Sequence, residues 1–293
     1  MLIIRLLFFL LPFCAFSHFA SDVQVLLSTK VLALGDTLRV DVYSDKKLSA
    51  YKLYFGHRYF PLSLRSKFKG RRYHYVAYLA LSRKSFSGSY AMDILLNFDN
   101  KPSFRRRYMI KVDHDYRPKG KVRLSKKTQK LRRKKRVLAE ENKLILAAFS
   151  TYTEHAYFRR KAFDLPIEGR ISSKFAANRE YSGGGTSSHA GVDLVAVIGT
   201  DVEAANDGKV ILSRDFVYHG STVMIDHGLG IVSIYNHLLD RYVEEGEFVR
   251  GGDYIGALGK SGVVSAAHLH WGMGVQNIRV NPLFWVKNMR LVK

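Results

Sequence analysis

Residues 221–238 read STVMIDHGLGIVSIYNHL, and this stretch decides the fold of the C-terminal half. Two runs rich in β-branched residues, STVMID and IVSIY, flank His227-Gly228-Leu229-Gly230, which has the composition of a hairpin. Upstream, VEAAN and KVILS flank Asp207-Gly208, a second tight-hairpin signal. Further turn signals fall at Glu245-Gly246, Gly251-Gly252 and Gly259. From about Pro166 onward the β runs follow one another too closely to admit crossover helices. The expectation is therefore a mainly antiparallel sheet.

Three segments place metal-type residues in this β context. The first is His189-Ala-Gly-Val-Asp193, the second Tyr235-Asn236-His237-Leu238, and the third His268-Leu269-His270-Trp271-Gly272. Residues two apart in a strand face one side, so His268 and His270 point together. Such a pair binds metal, shares an acid–base site, or simply lies on a solvated face. The first segment favours metal, because a four-residue spacing through a Gly-containing turn brings imidazole and carboxylate to one point. A His, Asp and second His form a sulfur-free, three-ligand set that suits zinc and leaves a fourth position for water. The spacing is not H-E-x-x-H and the context is strand, which excludes a thermolysin-type site. Tyr235 and Trp271 flank these motifs, where groove lining and core packing are both open. His227 reads as hairpin structure, and His219, His155 and His114 have no partner spacing.

The H-x-x-x-D and H-x-H pair, with Y-x-H-L between them, resembles the lysostaphin/LytM-type zinc endopeptidases of peptidoglycan. The resemblance runs over roughly residues 164–286 and takes in LPIEGRISSKF, GTDVEAANDGKV, MIDHGLGIVSIYNHL, VRGGDYIGALGKSG and HLHWGM. It implies that His189, Asp193 and His270 bind Zn2+, with His237 and His268 beside the metal as catalytic groups. It further implies a zinc-activated water, with His268 as general base and His237 serving the oxyanion or the leaving amine. All five residues are present, whereas relatives lacking ligands act as binding partners or activators. Ala266-Ala267 departs from the Gly-Pro often found there, and the glycine-rich stretch from Tyr181 to Gly185 is longer. The competing reading is a non-enzymatic peptidoglycan-binding or regulatory module on the same scaffold.

Upstream, residues 21–115 carry short β runs such as TLRVDVY, YHYVAYLAL and RRYMIKV, separated by turn residues. They predict an immunoglobulin-like sandwich serving as an accessory domain, in which His57 and His74 are surface or packing residues. Residues 117–136 then hold twelve Lys or Arg and no acid. Leu124, Leu131, Leu138 and Ile145 recur every seven residues, predicting a basic linker helix within 116–160 docked by one thin apolar face. Lys135 and Asn142 occupy intermediate positions and exclude a sustained coiled coil. The peptidase domain is expected over 161–293, giving a mainly β chain overall.

The N-terminus bounds the setting. After Arg5, residues 6–16 (LLFFLLPFCAF) are almost wholly apolar and precede small residues at Ala15, Ser17 and Ala20. That order predicts a signal peptide over residues 1–20 and export to periplasm or cell envelope, with tethering if it stays uncleaved. Cys14 is the only cysteine, so the mature chain cannot bind metal through sulfur or act as a cysteine hydrolase. The formal charge of +22 favours anionic partners. For an exported chain these are wall polymer or membrane surface, met through residues 117–136, and not nucleic acid. Oligomeric state is not legible.

Overall fold

The computed structural model describes residues 23–67, 73–99, 101–113, 119–158, 162–182 and 184–288. The expected signal peptide and Cys14 lie outside them. No helix among the described residues is long and apolar enough to cross a membrane.

The N-terminal strands are β1 (Val23–Leu27), β2 (Val31–Ala33), β3 (Thr37–Ser44), β4 (Ala50–Phe55), β5 (Arg58–Tyr59), β6 (Ser63–Lys67), β7 (Tyr73–Ala80), β8 (Gly88–Phe98) and β9 (Lys101–Asp113). Among the described residues they form two sheets, ordered β1-β3-β7-β6 and β2-β9-β8-β4-β5. Alternation sets the inner faces: Leu38, Val40 and Val42 of β3 are fully buried, while Arg39, Asp41 and Tyr43 are half-buried or exposed between them. His74 is a packing residue, stacked on Tyr43 at 4.5 Å and bonded through Nε2 to Asp41 at 2.7 Å.

The basic segment is helical, but not as one helix. It begins as strand β10 (Lys119–Val122), which runs parallel to a later strand, then forms α1 (Lys126–Arg132) and α2 (Lys135–Phe149). Leu124, expected on the helix stripe, precedes the Ser125 N-cap, whose hydroxyl accepts from Thr128 N. The break falls within Arg132–Arg136, five consecutive cations whose mutual repulsion opposes a continuous helix. Only α2 docks firmly. Its Ile145 and Phe149 join Leu212, Met224, Val232 and Ile234 in one buried cluster.

The C-terminal strands are β11 (Arg170–Ser173), β12 (Asn178–Tyr181), β13 (Thr186–Ser188), β14 (Val192–Val195), β15 (Asp201–Glu203), β16 (Gly208–Phe216), β17 (Gly220–Gly228), β18 (Ile231–Arg241), β19 (Phe248–Val249), β20 (Tyr254–Leu258), β21 (Leu269–Val275) and β22 (Ile278–Val280), followed by α3 (Pro282–Asn288). The main path is β11-β14-β21-β18-β17-β16-β19, with every pairing antiparallel. The expected hairpin over 227–230 forms, with Gly228 opposite Ile231 and both Leu229 and Gly230 at positive φ. The expected hairpin at Asp207-Gly208 does not. β15 pairs with β20 and β16 with β17, so this turn passes the chain between different partners. Gly208 is needed there for contact: a Cβ would lie 2.6 Å from Asp226 O. A small satellite sheet, β10-β12-β13, joins the basic segment to this half. The two halves share core, with Tyr78 of β7 packed on Phe158 and Trp285.

Candidate metal and catalytic centre

Three adjacent strands build the centre. In the register, Asp193 of β14 lies opposite His270 of β21, and His270 lies opposite Asn236 of β18. His189 stands just before β14, fixed at both backbone groups: its N–H donates to Ala177 O and its carbonyl accepts from Ala176 N, each at 2.9 Å. Gly191 in the same turn lets β14 close on β21, since a Cβ there would sit 2.3 Å from Trp271 O. The H-x-G-x-D spacing thus has a steric cause as well as a chemical one.

The ligand-type atoms converge. His189 Nε2 lies 3.0 Å from Asp193 Oδ1 and 2.9 Å from His270 Nδ1, which itself lies 3.0 Å from the same carboxylate oxygen. His189 donates its Nδ1–H to Lys174 O at 3.0 Å. No proton then remains on Nε2, and its lone pair faces a lone pair of Asp193. A cation is what relieves that repulsion. Tetrahedral zinc with bonds near 2.0–2.1 Å spaces its ligands about 3.3 Å apart, so the three atoms need retreat only a few tenths of an ångström. The donor set fits the metal.

Electrostatics keep these groups in ligand form. Burial lowers the pKa of His189, and it brings that of His270 to about 4. Burial alone would raise Asp193, but hydrogen bonds with His189 and His270 outweigh it and hold the carboxyl well below the usual range. Neutral imidazoles and an ionised carboxylate are the forms that coordinate metal.

Two further imidazoles stand alongside. His268 donates Nδ1–H to Ala266 O at 2.9 Å and turns Nε2 toward Asp193 Oδ1, 3.6 Å away. His237 donates Nδ1–H to Ser261 O at 2.9 Å, and its ring centroid lies 5.0 Å from that of His268 and 6.3 Å from that of His270. Burial, then the neighbouring His268 and His270, hold the His237 pKa well below its ordinary value. All five residues singled out in the sequence therefore meet in one place.

Other residues fall elsewhere or arrive unannounced. Tyr235 and Trp271 are fully buried and belong to the core rather than to a groove wall; the Tyr235 hydroxyl accepts from Ala205 N and Ser233 Oγ. His227 is wholly buried between Asp207 O and Ser233 Oγ, with burial lowering its pKa to about 4. Arg179 of β12 was not anticipated. It donates to Asp193 Oδ2 and to Ser173 Oγ, leaving Oδ1 for the centre. Nothing in the local motif NREY marks it, because its partner lies across a strand pairing. A cavity of about 650 Å³ lies on the N-terminal sheet beside Tyr54, Asp93 and Arg107, well apart from these donors.

Comparison with known proteins agrees with this geometry. Residues 187–282 match the sequence profile of Peptidase family M23. The peptidoglycan DD-endopeptidase ShyC of Vibrio cholerae is 37% identical over 134 residues, covering 45% of this chain and 31% of that relative. Peptidoglycan DD-endopeptidase ShyA of the same organism is 36% identical over 136 residues, covering 45% and 32%. The match thus spans about a third of the length of these curated relatives. A crystal structure from Pseudomonas aeruginosa, assigned to peptidase M23, shares the fold with a TM-score of 0.57 at 23% identity, over 84% of this chain and 92% of that one.

Proposed function

We propose that this chain, whose residues 187–282 form a family M23 peptidase domain, is a zinc-dependent endopeptidase that hydrolyses the peptide cross-links of bacterial peptidoglycan. The observation that carries the reading is the convergence of His189 Nε2, Asp193 Oδ1 and His270 Nδ1 within 3.0 Å of one another, with two imidazoles alongside. These three residues hold the ion. Zinc bound there supplies Lewis acidity and makes hydroxide available at neutral pH.

The chain's own groups then handle protons and orientation. Hydrolysis adds water oxygen to the amide carbonyl carbon and breaks the C–N bond, so one water proton must travel to the leaving nitrogen. His268 presents Nε2 and is the base that accepts this proton and returns it to the amine. His237 has committed its Nδ1–H to Ser261 O, so its Nε2 is an acceptor that aims the attacking water. Arg179 clamps the far oxygen of Asp193 and fixes the carboxylate plane. A regulatory or binding module would need none of these groups in register.

The setting follows from charge and the N-terminal apolar run. Both support export to the periplasm or cell envelope, with tethering if the leader is retained. Lys119, Lys121, Lys126, Lys127 and Lys130 are all exposed, which supports attachment of the 117–136 segment to anionic wall or membrane surface. Turnover of a purified cross-linked muropeptide dimer, by zinc-loaded protein and by His268→Ala, tests the enzyme reading. Cleavage by the parent and not by the variant is expected; cleavage by neither, with zinc bound to both, contradicts it.

A further inference from the structure

We propose that Glu141, on the linker helix and outside the family-matched segment, is a positioning residue for His237. This rests on the peptidase reading above. Glu141 is buried, its side chain 7% exposed, on a helix already docked through Ile145 and Phe149. Burying a carboxylate is costly unless hydrogen bonds offset it. Its bonds go to one turn of the peptidase domain. Oε1 accepts from Val217 N at 2.5 Å and from Tyr218 N at 3.1 Å, while Oε2 accepts from Tyr218 N at 3.0 Å. The ring of His219, next in the chain, brings Nδ1 to 3.9 Å from the same carboxylate.

That turn is the scaffold of His237. The carbonyl of His219 accepts the His237 backbone N–H at 3.2 Å, and Tyr218 O accepts from Val263 N at 2.8 Å. Ser261 then holds the same spot from the other side. Its Oγ accepts from Ser221 N and donates to Leu238 O, and its carbonyl takes the His237 ring proton. No slack exists between these segments: a Cβ on Gly220 would lie 2.3 Å from Ser261 Oγ, and one on Gly262 would lie 2.5 Å from Gly220 N.

His237 depends on this frame because its backbone is strained. It has φ 67°, in the left-handed region, and lies where the β17–β18 register shifts between Ser221 and Val223. A bulge of this kind re-aims a side chain, and a non-glycine residue keeps such a conformation only while its surroundings impose it. Glu141 is the part of that imposition supplied from outside the sheet. The linker helix thereby sets the aim of a catalytic imidazole.

The experiment compares Glu141→Gln and Glu141→Leu with the full-length parent. It reads zinc affinity, circular dichroism, the NMR signals of the His237 amide and ring Nδ1–H, and kcat and KM on a muropeptide dimer. The Leu variant should keep zinc affinity within about twofold and a native spectrum, while its His237 signals shift and kcat falls about ten- to hundredfold, the scale of a misplaced catalytic group. KM should stay within about threefold. Glu141→Gln, retaining one acceptor oxygen, should fall between. Unmoved His237 signals with kcat within about twofold overturn the proposal, as does a loss of activity that follows zinc loss in parallel. Should the Leu variant fail to fold, the Gln variant decides by the same criteria. An inactive parent would refute the peptidase reading, while the NMR signals would still test the Glu141 coupling.

Discussion

Replacing Gly191 by Ala adds one methyl group at the seam between the strands that carry Asp193 and His270. The new Cβ would lie 2.3 Å from Trp271 O, 2.9 Å from Trp271 C and 3.0 Å from Gly272 Cα, all backbone atoms that no rotamer change can move. Relieving the closest contact to ordinary separation requires β14 and β21 to part by about 1 Å. Metal–ligand distances tolerate about 0.2 Å. Because Asp193 and His270 are direct partners in that register, the parting removes one donor from the set. We expect zinc affinity to fall at least about 100-fold, or about 2.7 kcal/mol, measured by competition with a chromophoric chelator. Overpacking should lower apo stability by about 1–3 kcal/mol, offset by less than 1 kcal/mol because Ala reduces the freedom of the unfolded chain. Urea unfolding of the metal-free protein measures that part. If the Ala variant bound zinc as tightly as the parent, the strand seam would not be what sets the donor geometry, and the reasoning would fail.

Further outcomes are expected. His189→Ala should abolish measurable zinc binding, since two remaining donors hold the ion poorly; atomic absorption after dialysis checks this. Phe149→Ala removes a ring that packs on Gly274 and lies 3.3 Å beneath the Arg279 guanidinium carbon, and should cost about 3–5 kcal/mol in urea unfolding. The Asp41 carboxyl is lowered from its ordinary 3.8: burial opposes the shift, and hydrogen bonds from His74 and Arg39 outweigh burial. Its contribution is therefore complete above that value and lost as pH falls through the folded value. Asp41→Asn should flatten the acid side of the stability profile measured by thermal melts from pH 6 to pH 2, and an unchanged acid limb would contradict this.

What the sequence disclosed and what it withheld have the same origin. His189, Asp193, His237, His268 and His270 were legible because their spacings are local and their chemistry is rare. Antiparallel pairing was legible because Leu229-Gly230 supplies a turn that only antiparallel strands use. Asp207-Gly208 misled for the complementary reason. The dipeptide specifies a tight turn but not which strands it joins, and here the glycine is needed for contact with Asp226. The heptad of leucines from Leu124 to Ile145 likewise carried only part of the helix, because strand pairing of Lys119–Val122 with Asn178–Tyr181 captured its beginning. Arg179 and Glu141 were invisible for a deeper reason. Each acts on a residue far away in sequence, through a backbone pairing or a docked helix that no local pattern encodes.

The central claim is tested most directly by digesting purified sacculi with the zinc-loaded chain, with His268→Ala and a chelator-treated sample alongside, and reading soluble products by mass spectrometry. The account predicts that the parent alone releases uncross-linked peptides, whose masses name the bond cut, and that restoring zinc to the chelated sample restores release. Equal release by parent and His268→Ala, or release that survives removal of the metal, would contradict it.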